Sequence, residues 1–183
     1  MTRKEVYALE LNLANERKLS LKKIKFFRGH DGMTGLSCDL YVDGKKVAYC
    51  FDDARGGEME ITPYTAAHRF VINSLEDDLH KLPAYQCEDF NFEMNHDLES
   101  LVNALAQKHE EDKQFEKNSR KGILYKDTND STWVFGWKYN LPMYIAMYKE
   151  KAIQNIKDAC SRLEREGNVI LNKDYIKTLG IEL

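Results

Sequence analysis

The sequence contains no uninterrupted apolar run approaching the roughly 20 residues that span a bilayer. Its polar start, Met1-Thr2-Arg3-Lys4-Glu5, lacks the apolar stretch of a secretory signal. Both absences lead to the expectation of a cytoplasmic protein with no membrane partner. Cysteine is sparse: Cys38, Cys50, Cys87 and Cys160 are widely spaced and form no CxxC pair. Neither a zinc cluster nor a disulfide framework is indicated, and reduced thiols are expected. Charge of one sign is also lacking, since 27 basic and 30 acidic residues give a formal net charge of -3. So even a balance argues against a general nucleic-acid binder or an acidic DNA mimic. There is no P-loop, no G-x-G-x-x-G, no H-E-x-x-H and no G-x-S-x-G, and the common motif-borne enzyme classes therefore find no support. No motif implies a cofactor, and no internal repeat or low-complexity tract is present.

What is there suits a folded chain. The 183 residues are 43% hydrophobic and 31% charged, enough apolar side chain for one α+β domain with a real core. Over residues 5–17 the apolar spacing fits both a helix and a strand, with the helix favoured. Residues 20–62 read as an antiparallel β-meander. Leu21 to Phe27 forms a strand, followed by the glycine-rich loop Arg28 to Gly35. Leu36 to Val42 and Lys45 to Phe51 are joined by Asp43-Gly44, a pair that supplies the positive φ angles of a two-residue hairpin turn. Strict alternation from that turn pairs Leu40 with Val47, Cys38 with Tyr49 and Leu36 with Phe51, and sends Cys38 and Cys50 to opposite faces.

A short strand at Glu58 to Thr62 precedes a mostly helical part, 63–121. One helix runs from Pro63 or Thr65 to about Lys81, with Val71, Leu75, Leu79 and Leu82 as its buried stripe. A second starts near Asn95 or Asp97 and turns Leu98, Leu101, Val102 and Leu105 inward. Beyond Leu105 the stripe fails, because residues 107–121 hold one apolar side chain, Phe115, among mixed charges. A second hairpin at 122–139 turns at Thr128-Asn129-Asp130 and aligns Trp133, Phe135, Trp137 and Tyr139 on one face, which is expected to pack under helices. The last part, 142–183, holds a long helix seamed by Ile145, Ala152, Ile153, Ile156, Cys160 and Leu163 and stopped by Gly167. A short strand at Val169 to Leu171 and a final helix capped by Asn172 follow.

The stretches Leu21-Lys22-Lys23-Ile24-Lys25-Phe26, Asp39-Leu40-Tyr41-Val42-Asp43-Gly44-Lys45-Lys46-Val47 and Asp53-Ala54-Arg55-Gly56-Gly57 resemble uncharacterised small accessory proteins of tailed bacteriophages. The ending Val169-Ile170-Leu171-Asn172 through Leu179-Gly180-Ile181 is similar too. The resemblance covers about 20–62 and 167–183 and brings no known reaction. It implies a setting, the host cell cytoplasm, in which such proteins redirect host machinery or block antiviral defence.

Because the hairpin closes at Leu36 and Phe51, the loops before and after it emerge at one end of the sheet. His30, Asp31, Asp52 and Asp53 offer ligand atoms, while Arg55 beside Gly56 and Gly57 can hold a phosphate or carboxylate. The same residues are also those that tight turns favour for backbone reasons. The aromatic row at 133–139 can stack bases, and the charged 107–121 segment can dock on a partner. Cys87, His80 and His96 invite a cysteine-nucleophile idea, but nothing around the thiol marks it as activated. The leading expectation is a non-enzymatic accessory protein that binds and blocks a host protein or complex, an anti-defence inhibitor in the phage setting. The rival is a small-ligand protein that sequesters or hydrolyses a signalling nucleotide through the loops around His30 and Arg55.

Overall fold

The computed structural model describes residues 1–30, 32–86 and 92–183. The fold class is α+β, with two compact units, Met1–His109 and Glu110–Leu183. Asp31 and Cys87, which the sequence reading singled out, lie outside the described residues. No helix among the described residues is long and apolar enough to cross a membrane.

The first unit opens with α1 (Arg3–Glu16), resolving the ambiguous segment as a helix. Thr2 and Glu5 close a capping box over its first turn: the Thr2 amide donates to Glu5 Oε2 at 2.7 Å, and the Glu5 amide donates to Thr2 Oγ1 at 3.4 Å. An antiparallel sheet follows in the order β1 (Leu19–Arg28), β2 (Thr34–Val42), β3 (Lys45–Asp52), β4 (Glu60–Pro63). Asp43 and Gly44 take φ of 47° and 76°, the left-handed pair that a two-residue hairpin needs. Val42 then faces Lys45 across the turn.

Further along, strict alternation fails. The register shifts by one residue after Tyr41–Lys46, so Leu40 faces Ala48, Cys38 faces Cys50 and Leu36 faces Asp52. The expected Leu40–Val47, Cys38–Tyr49 and Leu36–Phe51 pairs are therefore corrected, as is the separation of Cys38 from Cys50. Val47 is the extra residue of a β-bulge, which lets two successive side chains, Val47 and Ala48, both be buried. Small Ala48 and Cys50 then occupy the crowded core face, and Tyr49 and Phe51 stack on the other. Cys38 and Cys50 are free thiols that face each other across the strands, and their mutual hydrogen bond lowers the Cys38 pKa and raises that of Cys50.

Helix α2 (Ala66–Leu79) starts at Thr65, whose hydroxyl accepts from the His68 amide at 3.2 Å, and buries Ile72, Leu75 and Leu79. Val71 and Leu82, expected in the stripe, are partly buried at its flank. A two-stranded ribbon, β5 (Tyr85–Gln86) with β6 (Glu93–Met94), precedes α3 (Leu98–Lys121). Asp97 caps α3 by accepting from the Ser100 amide at 2.7 Å. Leu98, Leu101 and Val102 complete the first core, as their spacing predicts, with Leu105 packed against it.

The second unit has its own core around Ile123, Ile156, Leu163 and Ile176. Residues 110–117 at its start are exposed along α3, in keeping with their mixed charge. Its sheet runs in the order β8 (Thr132–Gly136), β7 (Gly122–Lys126), β9 (Val169–Ile170). Helix α4 (Leu141–Arg165) begins at Asn140, whose side chain accepts from the Met143 amide at 3.0 Å, and is broken at Lys149 by φ 47° and ψ -124°. Helix α5 (Lys173–Thr178) follows Asn172, but Asn172 does not cap it with its side chain. That amide is buried and spent on β7 instead: its oxygen accepts from the Leu124 amide at 3.0 Å, and its nitrogen donates to the Gly122 carbonyl at 2.9 Å. Satisfying interior backbone groups takes precedence over a cap that water can replace.

Candidate functional site

The loop before β2 and the loop after β3 do meet at one end of the four-stranded sheet. A Cβ added at Gly29 would stand 2.7 Å from the Ala54 carbonyl oxygen, so the approach requires glycine there. Met33 reaches Gly56 in the same region, 3.7 Å from where a Gly56 Cβ would be. Yet the acids serve the backbone: Asp52 Oδ1 accepts from the Ala54 amide at 2.9 Å, and Asp53 Oδ1 accepts from the Arg55 amide at 3.0 Å. These are Asx turns, which hold buried Ala54 at φ 61°. The Arg55 side chain is 85% exposed, its Nε 3.8 Å from Asp53 Oδ2. His30, Gly56 and Gly57 are exposed as well. Among the described residues no group of three or more His, Cys, Asp or Glu side chains is placed to hold a metal ion.

The aromatic row of the second unit divides. Phe135, Trp137 and Tyr139 pack partly against the core, with Trp137 edge-on to Phe135 at 5.2 Å and stacked on Tyr144 at 5.1 Å. Trp133, expected under helices with them, is 55% exposed instead. Its pairing with Tyr125 places it near the turn end of β8, one row beyond the Ile123–Phe135 pair.

That turn fixes the indole. Trp133 Nε1 donates to Asp127 Oδ2 at 2.9 Å, and Asp127 Oδ1 accepts from the amides of Asn129 and Ser131, each at 2.9 Å. Lys126 closes the turn by an ion pair with Asp130. The hydrogen bonds from the Ser131 amide and then from the Trp133 indole hold the Asp127 carboxyl below its usual range. An exposed tryptophan is thus held by its polar end while its ring faces outward. Beside it, among the described residues β8 hydrogen-bonds to β7 on one side only, and Thr132, Val134 and Gly136 are exposed. Its outer edge is the kind of row to which an extended chain adds as a further strand. Sequence spacing identified the aromatic alternation but not which ring would stay outside.

A third arrangement had no local signal. His96 is fully buried, and its Nδ1 donates to Glu10 Oε1 at 2.9 Å, with Glu10 itself 3% exposed. The partners are 86 residues apart in sequence. Comparison with protein-family models, with curated proteins and with solved structures returns no match for this chain.

Proposed function

We propose that this chain is an accessory protein that binds and blocks a host protein, acting as an anti-defence inhibitor in the phage setting that its resemblance implies. The observation that carries the reading is Trp133 pinned outward beside the open edge of β8. The occupant is an extended segment of the host protein, added as a strand along β8, with an apolar side chain against the indole. Strand addition draws affinity from main-chain hydrogen bonds and specificity from alternate side chains. Tryptophan is among the residues that dominate interfaces, and one already fixed by Asp127 loses little rotamer freedom on binding. Steric blocking needs such a surface and no catalytic group, and a stable complex would bury about 1,600 Å² in total.

The test is quantitative binding to a partner captured from host lysate. Trp133→Ala is expected to weaken binding about thirtyfold, the cost of a hot-spot residue of about 2 kcal/mol, with the melting temperature unchanged. Undiminished binding by Trp133→Ala and by Val134→Lys together would refute the surface. A second reading rests on the convergence of the two sheet-end loops with Arg55 exposed between glycines. If Arg55→Glu abolishes binding while the β8 variants do not, those loops are the contact.

A further inference from the structure

The first unit contains a cleft of about 890 Å³, within the range of small-molecule sites. One wall is a single face of α1, on which Arg3, Tyr7 and Glu10 follow one another at helical spacing. Arg3 and Lys4 are exposed cations, whereas Glu10 is buried, and seven residues of helix separate Arg3 from Glu10 by about 10 Å. Another wall is α3, where Ser100, Asn103 and Gln107 share a row above Ala104. The ribbon of β5 and β6 adds Tyr85, Gln86 and Met94.

Each part selects a chemical feature. The rings of Tyr7 and Tyr85, with Met94, suit a flat, largely apolar body. A buried carboxylate accepts only, and of its roughly four acceptor positions the His96 Nδ1–H takes one, so Glu10 selects a group that presents paired N–H donors. The Asn103 side-chain amide on α3 can both donate and accept at a heterocycle's edge. About 10 Å away, Arg3 and Lys4 select an anion. Guanine carries adjacent N–H donors at its ring and exocyclic amine, and its 5′-phosphate lies at the far end of the nucleotide. Adenine offers an acceptor where guanine offers a donor, and would set a lone pair against the Glu10 carboxylate.

We propose that this cleft binds a guanine nucleotide, with Glu10 reading the base and Arg3 and Lys4 holding the phosphate. The site is distinct from the β8 edge and from the loops around Arg55. His96 acts through Glu10 as a positioning residue, since a fully buried ring fixes the carboxylate's orientation.

Calorimetric titration of the full chain with GMP, AMP, guanosine and inorganic phosphate tests it. Saturable binding of GMP is expected, with AMP weaker by about tenfold or more. The double variant Arg3→Glu/Lys4→Glu is expected to weaken GMP by about tenfold or more while leaving guanosine unchanged. Acids in a first helical turn suit the helix dipole, so that variant should fold. Glu10→Gln is expected to erase the preference for GMP over AMP. Should that buried substitution prevent folding, the double variant decides alone. No saturable heat from GMP at millimolar concentration would overturn the proposal. So would equal affinity for AMP, phosphate binding as tightly as GMP, or GMP affinity unmoved by the double variant.

Discussion

Asp39 lies on the face of the four-stranded sheet opposite the core, yet it is almost wholly covered. Tyr64 Oη donates to it at 2.7 Å, Lys46 Nζ stands 3.0 Å away and Lys23 Nζ 3.5 Å away. Burial alone pushes its carboxyl up, but the hydrogen bonds from Tyr64 and Lys46 and the two ammonium groups outweigh it and hold the pKa below the ordinary value. A carboxyl depressed in the folded state contributes stability above its unfolded pKa of about 3.9, and that contribution is lost as pH falls through the folded value. Asp39→Asn should therefore cost about 1–3 kcal/mol at neutral pH, the usual price of orphaning charged hydrogen bonds. The difference from wild type should narrow as pH falls from the unfolded pKa of about 3.9 through the lowered folded value. Denaturant titrations at pH 7 and pH 3 check this, and a difference that stays constant would contradict the network. Hairpin alternation puts Asp39 and Lys46 on one face, but neither the Tyr64 bond nor the Asn172 bridge was legible in the sequence. Their partners come from 25 and about 50 residues away, and a local reading of Asn172 sees only a helix cap.

At the scale of elements, the hairpin of β2 and β3 shows what local chemistry decides and where it stops. Asp43-Gly44 set the turn and the first pair, since two left-handed residues leave the strands no other closure. Nothing in the local code marked the bulge at Val47, whose origin is the packing of Ala48 and Cys50 against helices that come later in the chain. The two registers make opposite predictions for Ala48. Strict alternation puts it on the open face, where lysine is harmless; the bulged register buries it against the core, where an unpaired charge costs on the order of 4 kcal/mol or more. Ala48→Lys is thus expected to unfold the first unit, as circular dichroism would show, and a soluble variant with an unchanged melting curve would restore the unbulged pairing. The break in α4 leads to the reverse kind of test. A non-glycine residue at φ 47° and ψ -124° stores about 1–3 kcal/mol of backbone strain. Lys149→Gly should release much of it and raise the melting temperature, whereas a lower melting temperature would mean that the Lys149 side chain is worth more than the strain.

For the whole molecule, the order of helices and strands, apart from the unforeseen β5–β6 ribbon, followed from periodicity, capping residues and turn pairs, and the α+β class with it. Two separate cores follow from the failure of the α3 stripe after Leu105, where the chain runs on in charged residues before apolar alternation resumes at Gly122. Surfaces were harder to read. Trp133 and Phe135 have the same place in the alternation, yet Phe135 is half-buried with Arg162 of α4 over its ring, while Asp127 holds Trp133 as an outward ring. The Asp-rich loops, by contrast, attract attention in the sequence through residues that the structure spends on turns. We propose that a host protein adds a strand to the edge of β8. Amide hydrogen exchange of the purified complex against the free chain tests it most directly: slowed exchange is predicted across residues 132–136, with residues 53–57 and 107–121 unchanged. Protection confined to either of those two segments, with 132–136 exchanging as in the free chain, would contradict it.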